Sequence, residues 1–255
     1  MKRAGLVGYV AVIVLVVMAG GAHAVWDEYL SAPRPRALAL PDDLIPLDSP
    51  LGRRLLAESG HRADYDELAG SFVPQTRKAY CGVASAITVL NAAGVADAPR
   101  DPRAVFAPPN ARLSPLNASF RGMSLNGLAG LLRAHGAQVD VVFASTTDPA
   151  SFRQRARENL GREGDYLLVN YQRADLGQVR MGHISPVAAY HAPSDRLLIL
   201  DVAAHRYPPV WADLDKVWTA MRAPLNTQTA TTRGYLVVRG AHTVSAASPV
   251  GFDQR

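Results

Sequence analysis

Hydrophobic and polar positions follow helical spacing in some segments of the chain and form strand-like runs in others. After Cys81, apolar residues recur at i, i+4 and i+7, which predicts a helix that ends at Gly94. The residues of this stripe are Val83, Ile87 and Leu90. Related patterns predict four further helices, over residues 51–59, 124–136, 149–159 and 211–221.

Apolar runs of strand length are concentrated in the second half of the chain. They cover residues 138–144, 166–170, 183–190, 196–201 and 234–239. The turn-rich segment 191–195 joins two of these runs, which predicts an antiparallel hairpin. Helices that come mainly first and strands that come mainly later indicate an α+β fold.

Residues 1–24 have the pattern of a secretory signal peptide. A short basic head precedes an apolar stretch, and Ala22-His23-Ala24 supplies an Ala-x-Ala cleavage pattern. An uncleaved membrane anchor is the competing interpretation, since the stretch nearly reaches spanning length. The cleavage pattern favours removal after Ala24, which predicts an exported, periplasmic protein with no stable membrane anchor.

The rest of the chain divides into three predicted parts. A proline-rich arm covers residues 25–70, a catalytic domain residues 71–240 and a tail residues 241–255. The whole chain carries a net charge of +5, and the loss of Lys2 and Arg3 with the signal peptide leaves about +3. No block of lysine or arginine stands out, so no nucleic-acid partner is predicted.

The chain has one cysteine, Cys81, so it forms no internal disulfide. In an oxidising compartment an unpaired thiol is exposed to oxidation unless it is buried or used. At the start of a predicted helix, backbone N–H groups and the helix dipole favour the thiolate. We therefore interpret Cys81 as a nucleophile rather than a small core residue.

A nucleophilic thiol needs a base, and His183 begins an apolar strand directly after Gly182. Asp201 ends the partner strand of the hairpin and could orient the imidazole. A turn centred near residue 192 places these two residues opposite each other, whereas one near Ser194 offsets them by about three residues, or roughly 10 Å. Both registers stay open. Gln75, six residues before Cys81, is a candidate oxyanion donor together with the Cys81 N–H.

These motifs resemble the phytochelatin synthase family over residues 70–240. The matching segments are residues 75–92, 170–173, 182–190, 195–201, 207–211 and 232–235. The resemblance implies a papain-like cysteine peptidase fold with Cys81, His183 and Asp201 as catalytic residues and Gln75 in the oxyanion hole. It is also compatible with a homodimer.

The same resemblance implies attack of Cys81 on the Cys–Gly bond of glutathione. Glycine leaves, and the γ-glutamylcysteinyl thioester passes to water or to a second glutathione, which yields phytochelatin. The chain lacks the long cysteine-rich C-terminal region of the plant-type pattern and has no second cysteine. It is therefore similar to the short bacterial form, for which hydrolysis is the stronger expectation.

Glutathione carries two carboxylates, so its pocket should supply cations. Arg173 and Arg233 flank the matching motifs and are candidate substrate-binding residues with Gly182, although strand-end arginines are also commonly solvated. The sequence contains no metal-binding motif of the CxxC or HExxH type. A heavy metal ion would therefore arrive as a metal–glutathione thiolate, as substrate rather than cofactor.

Two other functions stay open at this stage. One is a papain-like peptidase of the double-glycine type, which also pairs a glutamine with Cys-Gly and a later His and Asp. The other is a non-catalytic exported binder of metal–thiol complexes. The long motifs around Gly182-His183 and Tyr207-Pro208-Pro209 favour the glutathione enzyme.

Overall fold

An antiparallel sheet with helices on both faces forms the body of the protein. The computed structural model describes residues 2–225 and 231–240, and within them seven strands pair in the order β1-β6-β5-β4-β3-β7-β2. Every pairing is antiparallel. The strands are β1 Ile45–Pro46, β2 Gln138–Phe143, β3 Asp165–Gln172, β4 Gly182–His191, β5 Arg196–Ile199, β6 Val210–Asp213 and β7 Gly234–Arg239. The α+β prediction is confirmed.

The helices are distributed over the whole described chain. They are α1 Lys2–Val25, α2 Pro50–Glu58, α3 Tyr65–Gly70, α4 Cys81–Ala92, α5 Pro115–Arg121, α6 Leu125–Ala134, α7 Pro149–Leu160 and α8 Leu214–Arg222. Helices α4 and α6 belong to one hydrophobic core, and α7 and α8 to a second core. Strand β3 sends Leu168 to the first core and Leu167 to the second, as the two-residue period of a strand requires. The central sheet therefore separates the two cores.

Local signals predicted several helix ends correctly. Gly94, with φ +60°, follows α4, and Gly136, with φ +89°, follows α6. The Ser124 hydroxyl caps α6 by accepting the Gly127 N–H at 3.0 Å. Glycine reaches positive φ at little cost, which is why it ends both helices.

The helix predicted over residues 211–221 is partly wrong. Its first residues belong to β6, where Trp211 pairs with Leu198 and is fully buried in the sheet. Helix α8 begins only at Leu214, after the Asp213 carboxylate has accepted the Lys216 N–H at 3.1 Å. Cross-strand pairing overrides helical spacing here, and the cap then sets the start of the helix.

The sequence left two registers open for the hairpin between β4 and β5, with the turn centred near residue 192 or near Ser194. The observed register lies between these two. Ala189 lies opposite Leu198, and the pairing shifts at an irregularity between Val187 and Ala189. Beyond the strand pair, the Leu200 N–H donates to the Pro186 carbonyl at 2.9 Å. Asp201 consequently lies beside Ser185, two residues along the strand from His183.

The apolar N-terminal segment forms a long helix, α1. The window Ile13–Leu30 has a mean hydropathy of 1.3 and is unburied, so length and composition would allow it to cross a membrane. A signal sequence near the N-terminus has the same properties. The predicted tail, residues 241–255, lies outside the described residues.

Gly234 should be intolerant of a side chain, because an added Cβ would lie 2.0 Å from the Val142 carbonyl oxygen. We expect Gly234→Ala to lower the free energy of unfolding by about 2 kcal/mol or more in urea titrations. Gly130→Ala is the control, since a Cβ there meets nothing within 4 Å and the position is inside α6. That change should be neutral or stabilise by up to about 1 kcal/mol. Equal effects of the two changes would contradict this packing account.

Candidate active site

Cys81 is the first residue of α4 and is half-buried. The preceding Tyr80 provides no side-chain acceptor for the first N–H groups of the helix. Gly82 lets Met123 approach closely, because a Cβ at this position would lie 2.7 Å from the Met123 Cε atom. The thiol is therefore held at a helix start whose N–H groups have no side-chain cap.

His183 and Cys81 line the same cavity, whose volume is about 470 Å³. His183 is buried, and its Nε2 atom lies 3.0 Å from the Asp201 Oδ1 atom and 2.9 Å from the Ser185 Oγ atom. We assign the imidazole proton to Nε2, because an ionised carboxylate can only accept. Nδ1 is then the nitrogen with a lone pair for the thiol proton.

Asp201 is a fully buried carboxylate whose Oδ1 atom has three donors. Besides the His183 Nε2 atom, Oδ1 accepts from the Arg173 Nη2 atom at 2.7 Å and from the Ala203 N–H at 2.9 Å. Asp201 and Arg173 are both 0% exposed, so their ion pair is shielded from water. The guanidinium of Arg173 also lies over the Tyr207 ring, 5.0 Å from its centroid.

These surroundings make His183 neutral and Asp201 charged. Burial and then the nearby Arg173 charge lower the pKa of His183 to about 4, although Asp201 acts in the opposite direction. Burial alone would raise the pKa of Asp201, but the charges and hydrogen bonds of His183 and Arg173 outweigh it and hold this pKa below its ordinary value. At neutral pH the imidazole can therefore accept a proton.

The prediction that the helix start stabilises a thiolate does not hold in this structure. Burial raises the pKa of the Cys81 thiol, and this effect exceeds the opposing effects of the Ile184 and Gly82 N–H groups and the Arg173 charge. The resting pair is therefore a neutral thiol and a neutral imidazole. The Cys81 thiol must therefore lose its proton at the moment when its sulfur acts as a nucleophile.

Gln75 lies close to the site in sequence but its side chain bonds to the loop before α4. Its Nε2 atom donates to the Arg77 carbonyl at 3.1 Å and to the Lys78 carbonyl at 2.9 Å. Both amide hydrogens are thus engaged by the loop, and Gln75 does not line the cavity of Cys81. The side chain fixes the loop that leads into the nucleophile.

Arg173 requires a correction. The sequence suggested a grip on a substrate carboxylate, but its guanidinium is fully buried, bonds Asp201 and donates from Nη1 to the Gln178 Oε1 atom at 2.6 Å. It does not line the cavity. The internal carboxylate, rather than a ligand, is therefore the acidic partner of Arg173.

Arg233 and Gly182 do lie at the cavity, as the sequence suggested. The Arg233 Nη1 atom donates to the Ala223 and Pro224 carbonyls at 3.0 and 2.9 Å. An added Cβ on Gly182 would lie 3.3 Å from the Arg233 Nη2 atom, so glycine leaves room for the guanidinium. These two residues form one wall beside His183.

Three charged residues of the cavity were missed by sequence reasoning: Glu28, Lys78 and Arg121. Arg121 ends α5 directly before Gly122-Met123, in a part of the chain that adjoins a proline-rich region and gave no clear periodic signal. Its guanidinium is exposed and makes no ion pair with any residue the structure describes. Only the tertiary arrangement brings α5 to the cleft.

A second histidine, His205, lines a different cavity with Arg34, Arg36 and Arg206 and does not line that of Cys81. Among the described residues, no group of three or more His, Cys, Asp or Glu side chains could hold a metal ion. Of the candidate catalytic residues, Cys81 and His183 line one cavity, and Asp201 bonds His183.

The family model described as phytochelatin synthase matches residues 36–235. The chain belongs to the phytochelatin synthase family. The match begins well before residue 70, so residues 36–70 of the predicted arm are part of the family region. Strand β1 lies in this part of the arm and pairs with β6, so the arm is joined to the sheet of the main body.

Relatives of this family occur in plants and yeast. The chain is 32% identical to glutathione gamma-glutamylcysteinyltransferase 3 of Lotus japonicus over 202 residues, which are 74% of this chain and 41% of that protein. It is 30% identical to glutathione gamma-glutamylcysteinyltransferase 1 of Arabidopsis thaliana, over 72% of this chain and 39% of that protein. For glutathione gamma-glutamylcysteinyltransferase of Schizosaccharomyces pombe the identity is 25%, with 84% and 53% covered. The match spans less than half the length of both plant relatives.

The neutral buried imidazole should make stability depend on pH. The unfolded chain binds a proton at His183 near its ordinary pKa of 6.5, whereas the folded protein does so only near 4. Stability contributed by His183 should therefore fall as pH drops from about 6.5 to about 4, by roughly 3 kcal/mol in total.

Urea titrations of the wild type and of His183→Gln across this pH range measure the effect. The wild type should lose more stability on acidification, and the difference between the two proteins isolates His183. This matters because Asp64, whose pKa burial raises to about 6, contributes with the opposite sign. Parallel pH dependences of the two proteins would contradict a neutral, buried imidazole.

Proposed function

We propose that the protein is a glutathione γ-glutamylcysteinyltransferase that also acts as a glutathione hydrolase, with Cys81 as the nucleophile. One observation carries the proposal: Cys81 shares a cavity with the His183 imidazole, whose Nε2 atom is 3.0 Å from the buried Asp201 carboxylate. The printed names of the relatives supply the substrate and the transferred group. The arrangement supports a papain-like cysteine peptidase mechanism and fold.

The first half-reaction transfers an acyl group to the sulfur. His183 accepts the thiol proton at Nδ1 as the Cys81 sulfur attacks the carbonyl carbon of the Cys–Gly amide bond. The C–N bond then breaks, the imidazolium returns its proton to the amine, and glycine leaves. Asp201 stabilises the transient imidazolium, which its fixed negative charge is placed to do.

The second half-reaction releases the γ-glutamylcysteinyl group. His183 deprotonates a water molecule or the amine of a second glutathione, which attacks the thioester carbonyl. Water gives γ-Glu-Cys, and glutathione gives phytochelatin with one added unit. In both cases the Cys81 thiol is regenerated, so the cycle is balanced without an external oxidant or reductant.

Helix α4 is suited to stabilise the oxyanion that both half-reactions form. The Cys81 N–H lies at a helix start without a side-chain cap, and one such donor contributes about 3–4 kcal/mol in comparable sites. Gln75 can act as the second donor only if its amide releases the Arg77 or Lys78 carbonyl. Its role therefore depends on a small rotation when substrate binds.

The charges of the cavity complement glutathione. Its lining includes three cations, Lys78, Arg121 and Arg233, and one anion, Glu28. Glutathione has two carboxylates and one ammonium group, so each of its charges can meet an opposite charge in the cavity. Arg233, beside Gly182, and Arg121, at the end of α5, are the candidate partners of the two carboxylates.

Three further inferences complete the proposal. The apolar helix α1 supports export through a signal peptide cleaved after Ala24, and hence a periplasmic enzyme. A heavy metal would enter as a glutathione thiolate complex in the substrate. The homodimer stays a prediction.

Incubation with glutathione should leave a γ-glutamylcysteinyl adduct on Cys81 and release free glycine. Mass spectrometry after brief mixing detects the adduct, and an amino-acid assay detects glycine. Cys81→Ala should remove both signals and keep the thermal unfolding midpoint, because the residue is half-buried and the substitution is small. Glycine release by Cys81→Ala would overturn the assignment of the nucleophile, and an inactive wild type would favour a binding protein.

Arg121 should contribute to substrate binding through a charge-assisted hydrogen bond, about 1.5–3 kcal/mol. We expect Arg121→Ala to raise KM for glutathione by roughly 10- to 150-fold, with a smaller effect on kcat. Arg100→Ala is the matched control, since Arg100 is also exposed and lines neither this cavity nor that of His205. The same KM in both variants would remove Arg121 from the substrate site.

A further inference from the structure

A short segment that follows α1 forms part of the active-site cavity. Trp26–Leu30 make one turn of π-helix, and the Ser31 N–H closes it by donating to the Trp26 carbonyl at 2.8 Å. We call residues 26–31 the strap. The strap precedes the family match, which begins at residue 36, and cleavage after Ala24 would leave it in the mature chain.

Two neighbouring side chains attach the strap to the cavity rim. Glu28 forms an ion pair with Lys78 in the loop before α4. The Tyr29 ring packs against the Phe120 ring of α5, with 4.8 Å between the ring centroids. All four side chains line the cavity that contains Cys81 and His183. The strap therefore bridges the two elements that flank the nucleophile.

The chain beyond the strap is also fixed, on the side of Asp201. The Arg36 N–H donates to the His205 carbonyl at 2.8 Å, and the Leu38 N–H donates to the Arg206 carbonyl at 3.0 Å. These bonds hold the arm against the loop that follows Asp201. The strap is therefore a surface segment that is anchored by its own contacts and by this attachment of the arm.

We propose that the strap is a specificity-determining wall that limits this active site to one peptide of tripeptide size. The cavity volume of about 470 Å³ lies in the lower part of the range for small-molecule sites, roughly 300–1,000 Å³. Longer γ-Glu-Cys chains and bulky substituents on the substrate sulfur collide with Tyr29. The choice of a peptide as substrate rests on the proposed function. The position of the strap as a wall rests on its contacts with Lys78 and Phe120.

The wall acts by size rather than by charge. Glu28, the one carboxylate among the described residues that line the cavity, is paired with Lys78, so the added carboxylate of a longer peptide meets no unpaired like charge at the strap. By its size the wall disfavours repeated elongation and favours water or a single small amine as acyl acceptor.

The single cysteine gives a test that does not depend on catalysis. Cys81 is alkylated with iodoacetamide and, separately, with the much larger fluorescein maleimide, in the wild type and in Glu28→Ala/Tyr29→Ala. We expect the ratio of the large-reagent rate to the small-reagent rate to rise by about tenfold or more in the double variant, or about 1.4 kcal/mol. A ratio cancels any change in thiol pKa, because both reagents react with the same thiolate.

Two controls keep this result interpretable. Trp26→Ala alters the same strap at an exposed residue that does not line the cavity, and it should leave the ratio unchanged. Phe120→Ala removes the partner of Tyr29 from the other side and should raise the ratio as the double variant does. Thermal unfolding of each variant verifies folding. An unchanged ratio in both folded cavity variants overturns the wall.

The enzyme assay then tests the choice of substrate. In the double variant, kcat/KM for (γ-Glu-Cys)2-Gly should rise by about tenfold relative to kcat/KM for glutathione. An unchanged ratio of the two values, with glycine still released from glutathione, overturns the specificity role and keeps the proposed function. Absence of glycine release by the wild type overturns the proposed function, and the alkylation result still decides whether the strap is a wall.

Discussion

The buried carboxylate of Asp201 is the constraint on which the active site depends. A charge in the protein interior costs several kcal/mol unless opposite charge and hydrogen bonds compensate it. Arg173 supplies the opposite charge, and the Ala203 N–H and His183 supply further donors to the same oxygen. An arginine at the end of β3 is therefore fully buried between aromatic rings, because its partner is buried as well.

This ion pair also determines the protonation of the catalytic groups. A lone carboxylate beside His183 would favour the imidazolium, but the Arg173 charge offsets it, and burial then favours the neutral ring. The thiol of Cys81 is neutral for the same reason, since burial outweighs the helix N–H groups. A neutral thiol is also less readily oxidised than a thiolate.

The cavity walls come from parts of the chain that are distant in sequence. Strands β3 and β4 supply Asn170 and Gly182, α5 supplies Phe120 and Arg121, and the strap supplies Glu28 and Tyr29. The family region therefore contains Cys81 and His183, whereas one wall is built by residues that precede it. The shape of the cavity consequently depends on contacts between the family region and the strap.

Local sequence was sufficient for most secondary structure and pointed to Cys81 and His183, which the fold brings to one cavity. Periodic apolar positions predicted α4 and β4, glycines marked the ends of α4 and α6, and a single Cys-Gly with a later Gly-His indicated nucleophile and base. These signals are local because helix caps, strand alternation and side-chain chemistry act within a few residues.

The tertiary structure decided how those residues act. The shift between Val187 and Ala189 set the position of Asp201, burial gave Arg173 an internal partner, and the packing of α5 and the strap brought Arg121 and Glu28 to the cleft. The sequence determined which groups are present. Their charge states and partners depend on desolvation and on contacts between distant segments, and only the folded chain fixes these.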